Sequence, residues 1–171
     1  MKVGEKHYRS IWADGGTVRI IDQTRLPHEF AVIALETLDQ AAAAIRDMQV
    51  RGAPLIGAAA AYGIAIAMRD DPGDEGLRHA VELLMATRPT AVNLRWALEA
   101  MAGRLVTLPP AERAETAMAQ AAAIADEDIA INAAIGDHGL AVIEAIAAHK
   151  SGPVNLLTHC NAGWLATVDW G

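Results

Sequence analysis

The chain has a single cysteine, Cys160, in 171 residues, so no disulfide can close within it, as expected of a protein from a reducing compartment. Aromatic residues are scarce, with four Trp, two Tyr and one Phe, although 53% of the residues are apolar and alanine is heavily used. That balance argues against an aromatic-rich sandwich of strands and for closely packed helices. Basic residues are also short: 14 Lys and Arg face 21 Asp and Glu, for a formal charge of −7, and no basic cluster occurs. Nucleic-acid and anionic-membrane surfaces both need Lys and Arg in excess, so neither partner is expected. The start, "MKVGEKHYRS", has no apolar core of a signal peptide. The longest uncharged run in the first half, residues 53–68, is rich in Ala and Gly and shorter than the about 20 apolar residues of a membrane span. A soluble, cytoplasmic protein is the expectation. The six histidines form no His-Glu-x-x-His pattern, one cysteine cannot build a zinc site, and there is no G-x-G-x-x-G and no P-loop. No metal is therefore expected.

What is present reads as strands first and helices after. "KHYRSIWA", "TVRIID" and "EFAVIAL" are β-favouring runs separated by Asp14-Gly15-Gly16 and Leu26-Pro27. From Leu38 the period becomes helical. Thr37 and Gln40 have the spacing of a capping box, and the helix they open ends by Arg51-Gly52. Pro54 suits the first turn of the next helix, "PLIGAAAAYGIAIAMRD", which is apolar on nearly every side and so belongs inside the domain. A further helix covers Leu77 to Thr87. Thr90 is the expected cap of another, in which Leu94, Leu98, Met101 and Leu105 share one face. Pro109-Pro110 begins a long helical stretch whose continuity at Gly136 is open. After Ser151-Gly152-Pro153, "VNLLTHC" reads as a buried strand and "NAG" as a turn. Arg95 and Glu99 suggest an i, i+4 surface pair, and Asp126-Glu127-Asp128 a solvated helix face.

The expected class is α+β: a small β region over 1–36, a mainly helical part over 37–150, and over 151–171 the first strand unit of a truncated Rossmann-like α/β domain. On this reading the chain looks incomplete.

Three places can carry chemistry. Arg51 stands directly before Gly52, Ala53 and a proline-marked helix start. The first N–H groups of a helix lack internal partners and suit an anion, and a guanidinium beside them can grip a phosphate. The same residues also describe an ordinary loop glycine, an N1 proline and a surface arginine. Arg88, before Pro89, lies next to another helix start and carries the same two readings. Cys160 follows an apolar run and precedes a turn. A free cysteine is commonly an inert small hydrophobe, but ligands gather at the carboxyl ends of strands, where a following helix would lower a thiol's pKa. His159 would point to the opposite face of a strand.

Taken together, "RGAPLIGAAAAYG", "RPTAVNLRWAL", "DEDIAINAAIGDHG" and "LLTHCNAGWLAT" resemble the 5-methylthioribose-1-phosphate isomerases, a family shared with the regulatory subunits of translation initiation factor 2B. The resemblance covers the chain from near Arg51 to its end. It implies a mostly helical N-terminal domain and a C-terminal Rossmann-like domain with the active site between them. The implied reaction converts the aldose 5-methylthioribose 1-phosphate to the ketose, without a cofactor, in a cytoplasmic homodimer of the methionine salvage route. By the same resemblance Cys160 is the catalytic cysteine, Arg51, Gly52, Ala53 and Arg88 contact the substrate, and an aspartate acid lies beyond Gly171. Asp169 does not match that acid. Two other functions remain open: a non-catalytic sensor of a sugar phosphate or nucleotide, and an isomerase of a related sugar such as ribose 1,5-bisphosphate or 5-deoxyribose 1-phosphate.

Overall fold

The computed structural model describes residues 1–171. Two small antiparallel sheets come first. β1 (Lys2–Val3) pairs with β2 (Lys6–His7), and β3 (Ile11–Asp14), β4 (Thr17–Ile21) and β5 (Val32–Leu35) form a meander in that order. Asp14 pairs with Thr17 across Gly15 and Gly16, whose φ angles of 57° and 84° give the left-handed two-residue turn that matches strand twist. Alternation along β4 sends Val18 and Ile20 inward, where they join Ile11 and Leu35 in the main core. β1 is the one strand without a signal in the sequence.

Five helices follow: α1 (Leu38–Arg46), α2 (Ala53–Asp70), α3 (Asp74–Thr87), α4 (Val92–Leu105) and α5 (Pro110–Ala147). The capping box of α1 forms as expected. The Gln40 amide donates to the Thr37 hydroxyl, and the Gln40 side chain accepts from the Thr37 amide. α2 is the axis of the domain, with every residue from Leu55 to Met68 buried among the other four helices. Such a helix must be approached closely. A Cβ on Gly63 would lie 3.0 Å from Leu84 of α3 and 3.3 Å from Ala41 of α1. Leu94, Leu98, Met101 and Leu105 of α4 are fully buried on one face.

Several expectations are corrected. Thr90 does not cap α4. The Ala91 amide donates to the Arg88 carbonyl at 3.0 Å, which makes Pro89 and Thr90 the centre of a tight turn and leaves Ala91 as N-cap. No ion pair joins Arg95 to Glu99, both of which are exposed. At Gly136, where the sequence left continuity open, α5 runs unbroken, as it does at Gly139, because an interior glycine costs stability without removing a ladder hydrogen bond. Its first half buries Ala117, Ala121 and Ala125, while its second half exposes Ile131, Ile135, Leu140, Val142 and Ile146. By length and composition α5 is sufficient to cross a membrane. Its second half nonetheless carries Asp137 and Glu144, which are costly at a bilayer centre.

Residues 154–160 do not form the expected buried strand. They carry no helix or strand, Cys160 lies in a left-handed bend, and all but Val154 are exposed. A strand is defined by its partner, and none of the five strands lies alongside to hydrogen-bond it. After them the chain turns back into the body. Trp164, Ala166, Thr167, Val168 and Asp169 are buried, around a single 3-10 turn at Trp164–Ala166.

Candidate active site

One cleft of about 570 Å³ is lined by Met48, Arg51, Gly52, Ala53, Ile56, Arg88, Ala91, Cys160 and Asn161. All five residues singled out in the sequence are in it, although Arg51, Arg88 and Cys160 come from three separate segments. Three features decide what the cleft can hold.

The first is charge. Seven of the other nine arginines meet a carboxylate, among them Arg9 with Asp126 at 2.8 Å, Arg113 with Asp74 at 2.6 Å, and Arg78 between Glu75 and Glu82, while the exposed Arg95 and Arg104 meet none. Arg51 and Arg88 have no such partner, and no Asp or Glu lines the cleft. Two uncompensated guanidinium groups in a protein of charge −7 make a local positive field that attracts an anion.

The second is backbone polarity. The amides of Gly52 and Ala53 belong to the open N-terminus of α2, an 18-residue helix with no side-chain cap. These groups have no helical acceptor and carry the positive end of the helix dipole. Gly52, at φ 98° and ψ 137°, adopts a conformation in which a side chain would be strained. A Cβ there would also overlap the backbone of Ala166.

The third is the thiol. Cys160 is exposed and holds φ at 68°, in the left-handed region. It does not precede an α-helix: the turn at Trp164–Ala166 has only three residues, so the expected helix N-terminus beside the sulfur is absent. His159 is exposed and does not line the cleft.

What fixes this arrangement is the tail. Gln23 donates to the Leu165 carbonyl at 2.7 Å, the Val168 amide donates to Asp128 at 2.7 Å, and the Ser10 amide donates to the Val168 carbonyl at 2.9 Å. Asp128 is therefore not part of a solvated face. Burial pushes its carboxyl up, against the hydrogen bonds from Val168 and Asn132 that pull it down. Asp126 keeps the exposed role expected for the run, paired with Arg9. Asp169 lies outside the cleft, bound to the amino group of Met1 at 2.8 Å and to His7 at 2.5 Å. Burial alone would raise its carboxyl, but those two donors and the Trp170 amide together hold it below the usual range.

The family model described as the initiation factor 2 subunit family matches residues 49–168, which contain Arg51, Arg88, Cys160 and the anchored tail. The chain belongs to the initiation factor 2 subunit family. Within the family it is 62% identical, over 95% of its length, to a methylthioribose-1-phosphate isomerase of Rhodospirillum rubrum, of which it covers 44%. Among solved structures it is similar to 5-methylthioribose 1-phosphate isomerase from Pyrococcus horikoshii, with a TM-score of 0.80 and 38% identity over 96% of this chain and 46% of that one. Translation initiation factor eIF-2B subunit delta from A. fulgidus matches with the same TM-score and identity, over 48% of its length. The chain spans about half the length of the curated isomerase relatives it matches.

The motifs single out the cationic and thiol groups but give no role to Ile56, Ala91 or Asn161, which they contain, nor to Met48, which lies outside them. Three of these are apolar residues next to loops, with nothing in their local pattern to separate them from packing positions.

Proposed function

We propose that this chain supplies one wall of the active site of an aldose–ketose isomerase, acting on 5-methylthioribose 1-phosphate or a closely similar sugar phosphate. The observation that carries the reading is the meeting of two unpaired guanidinium groups, an open helix N-terminus and an exposed thiol on one cleft without a carboxylate. Relatives of this chain that are 58–62% identical and named methylthioribose-1-phosphate isomerase support it.

In such a substrate the anomeric oxygen is blocked by phosphate, so the ring cannot open as a free hemiacetal does. An acid must protonate the ring oxygen as the C1–O bond opens, and hydrogen must move from C2 to C1 while the C2 hydroxyl becomes the carbonyl. Arg51 and Arg88, with the Gly52 and Ala53 amides, hold the phosphate by charge-assisted hydrogen bonds and so fix C1 and C2. Cys160 faces those carbons as base or as the group that stabilises the transition state. The reaction is internally balanced and calls for no redox cofactor. Because the cleft lacks a carboxyl group, ring-oxygen protonation falls to a residue outside these lining positions, and residues 1–171 alone are expected to be inactive. Residues 154–160 then belong to the first strand unit of an α/β layer that residues 151–171 begin. The intact protein is proposed to be a cytoplasmic homodimer without a nucleic-acid or membrane partner, placed in methionine salvage.

Turnover of 5-methylthioribose 1-phosphate by the intact protein tests the reading. Cys160→Ser is expected to lower kcat by about 10²–10⁴-fold, the usual contribution of a positioned acid–base group. A kcat near wild type removes the thiol from the mechanism. The equal likeness to the translation-factor subunit favours one other reading, a sensor that binds a sugar phosphate without converting it. Calorimetric binding with no ketose product would establish that instead.

A further inference from the structure

Three non-glycine residues have positive φ, and two of them, Met48 at 60° and Cys160 at 68°, face the same cleft. Side chains rarely adopt this region, and where they do the constraint tends to mark function. Met48 follows Asp47, the C-cap of α1, at the position where helices commonly place glycine. The helix end is closed by backbone alone: Asp47 N–H donates to Ala43 O at 2.8 Å and Val50 N–H to Ala44 O at 3.1 Å. Helix termination thus requires a left-handed residue here but not a methionine.

The side chain is also unusual in where it goes. Met48 is 50% exposed, whereas Ile56, the other large apolar residue of the cleft, is 4% exposed. Met48 is therefore the largest exposed apolar side chain on a cleft whose other accessible apolar residues are Ala53 and Ala91, next to a site suited to an anion. A ligand suited to both must be amphiphilic, with a phosphate at one end and an apolar group at the other.

We propose that Met48 is a specificity-determining residue, whose thioether receives the apolar 5-substituent of the sugar phosphate gripped by Arg51 and Arg88. The assignment rests on the isomerase reading above. In that substrate the phosphate on C1 and the methylthio group on C5 lie at opposite ends of the ring. An unbranched, polarizable side chain adapts well to a small thioether.

The test compares 5-methylthioribose 1-phosphate with 5-deoxyribose 1-phosphate, which lacks the S-methyl group, as substrates of the intact protein. Met48→Gly suits φ 60° and so does not threaten the fold. It is expected to reduce the ratio of the two kcat/KM values about tenfold or more, the range typical of one lost apolar contact in a pocket. Met48→Leu, which keeps apolar volume, is expected to hold the ratio within about threefold of wild type. An unchanged ratio in Met48→Gly, in a protein that isomerises the methylthio sugar, overturns the Met48 assignment alone. If the wild type isomerises neither sugar, the isomerase reading falls and this assignment falls with it.

Discussion

Gly52→Ala perturbs the joint on which the cleft is built. Two costs add. The backbone at φ 98° and ψ 137° lies outside the regions open to alanine, a strain of about 1–3 kcal/mol. The new Cβ would stand 2.6 Å from the Ala166 Cβ and would overlap the Ala166 backbone, so the tail must retreat by roughly an ångström to reach van der Waals contact. The tail is not free to do so, because Gln23 and Asp128 hold it by hydrogen bonds of 2.7 Å each. Breaking one of these costs about 1 kcal/mol more. A total near 3 kcal/mol corresponds to a fall in Tm of about 6–12 °C for a unit of 171 residues that unfolds by itself, and to less where a longer chain unfolds as one. Thermal unfolding of the intact protein, followed by circular dichroism, measures it. Ala166→Gly in the same background removes the Cβ–Cβ overlap but not the backbone overlap, and should recover less than half of the loss. A Gly52→Ala variant melting within about 2 °C of wild type would falsify the close approach of the tail to α2.

The other outcomes can be stated briefly. Arg113 is 3% exposed and donates to the carbonyls of Leu108 and Pro72 at 3.0 Å each. Arg113→Ala leaves both acceptors unpaired and should cost about 2–4 kcal/mol in urea denaturation. Removing its ionic partner, 83% exposed Asp74, should cost less than about 1 kcal/mol; equal losses would show that the ion pair, not the carbonyl contacts, matters. Asp169 has a carboxyl held below its unfolded value near 3.9. Its stabilisation is therefore complete above that value and is lost as pH falls through the lower folded pKa. Asp169→Asn should lower Tm at neutral pH and flatten the acid limb between about pH 5 and 2, and parallel wild-type and variant curves would contradict this.

Local rules carried most of the helical architecture. The Thr37–Gln40 capping box, Pro54 and Pro110 in first turns, and the Leu94–Leu105 face each depend on residues within three turns of one another. The same rules failed where a local signal was ambiguous. Thr90 has the chemistry of a cap, but the turn closed by Ala91 N–H and Arg88 O takes it first. "VNLLTHC" has the composition of a strand, but composition does not supply a neighbour to pair with. Asp128 looked like the end of an acidic run, and only the returning tail makes it an acceptor for Val168.

The cleft illustrates the limit most clearly. Its cationic and thiol groups stand in short recognisable motifs, so their identity was legible. Their distance apart was not, because it depends on contacts between residues far apart in the chain. Ser10 and Gln23 reach residues 164 and 165 across more than 140 positions, and Asp128 reaches Val168 across 40. Those anchors seat Ala166 against Gly52, and Gly52 begins the helix whose N-terminus opens beside Arg51. Cys160 is carried on the exposed chain just before the anchored turn, so its position relative to the two arginines is set at the tail rather than by a helix or strand of its own. The binding groups thus stand at helix ends, Arg51 and Gly52 just before α2 and Arg88 at the C-cap of α3, while the thiol is mounted on a segment that lacks a regular element. A domain packed against residues 154–160 would therefore adjust the thiol and leave the anion grip in place.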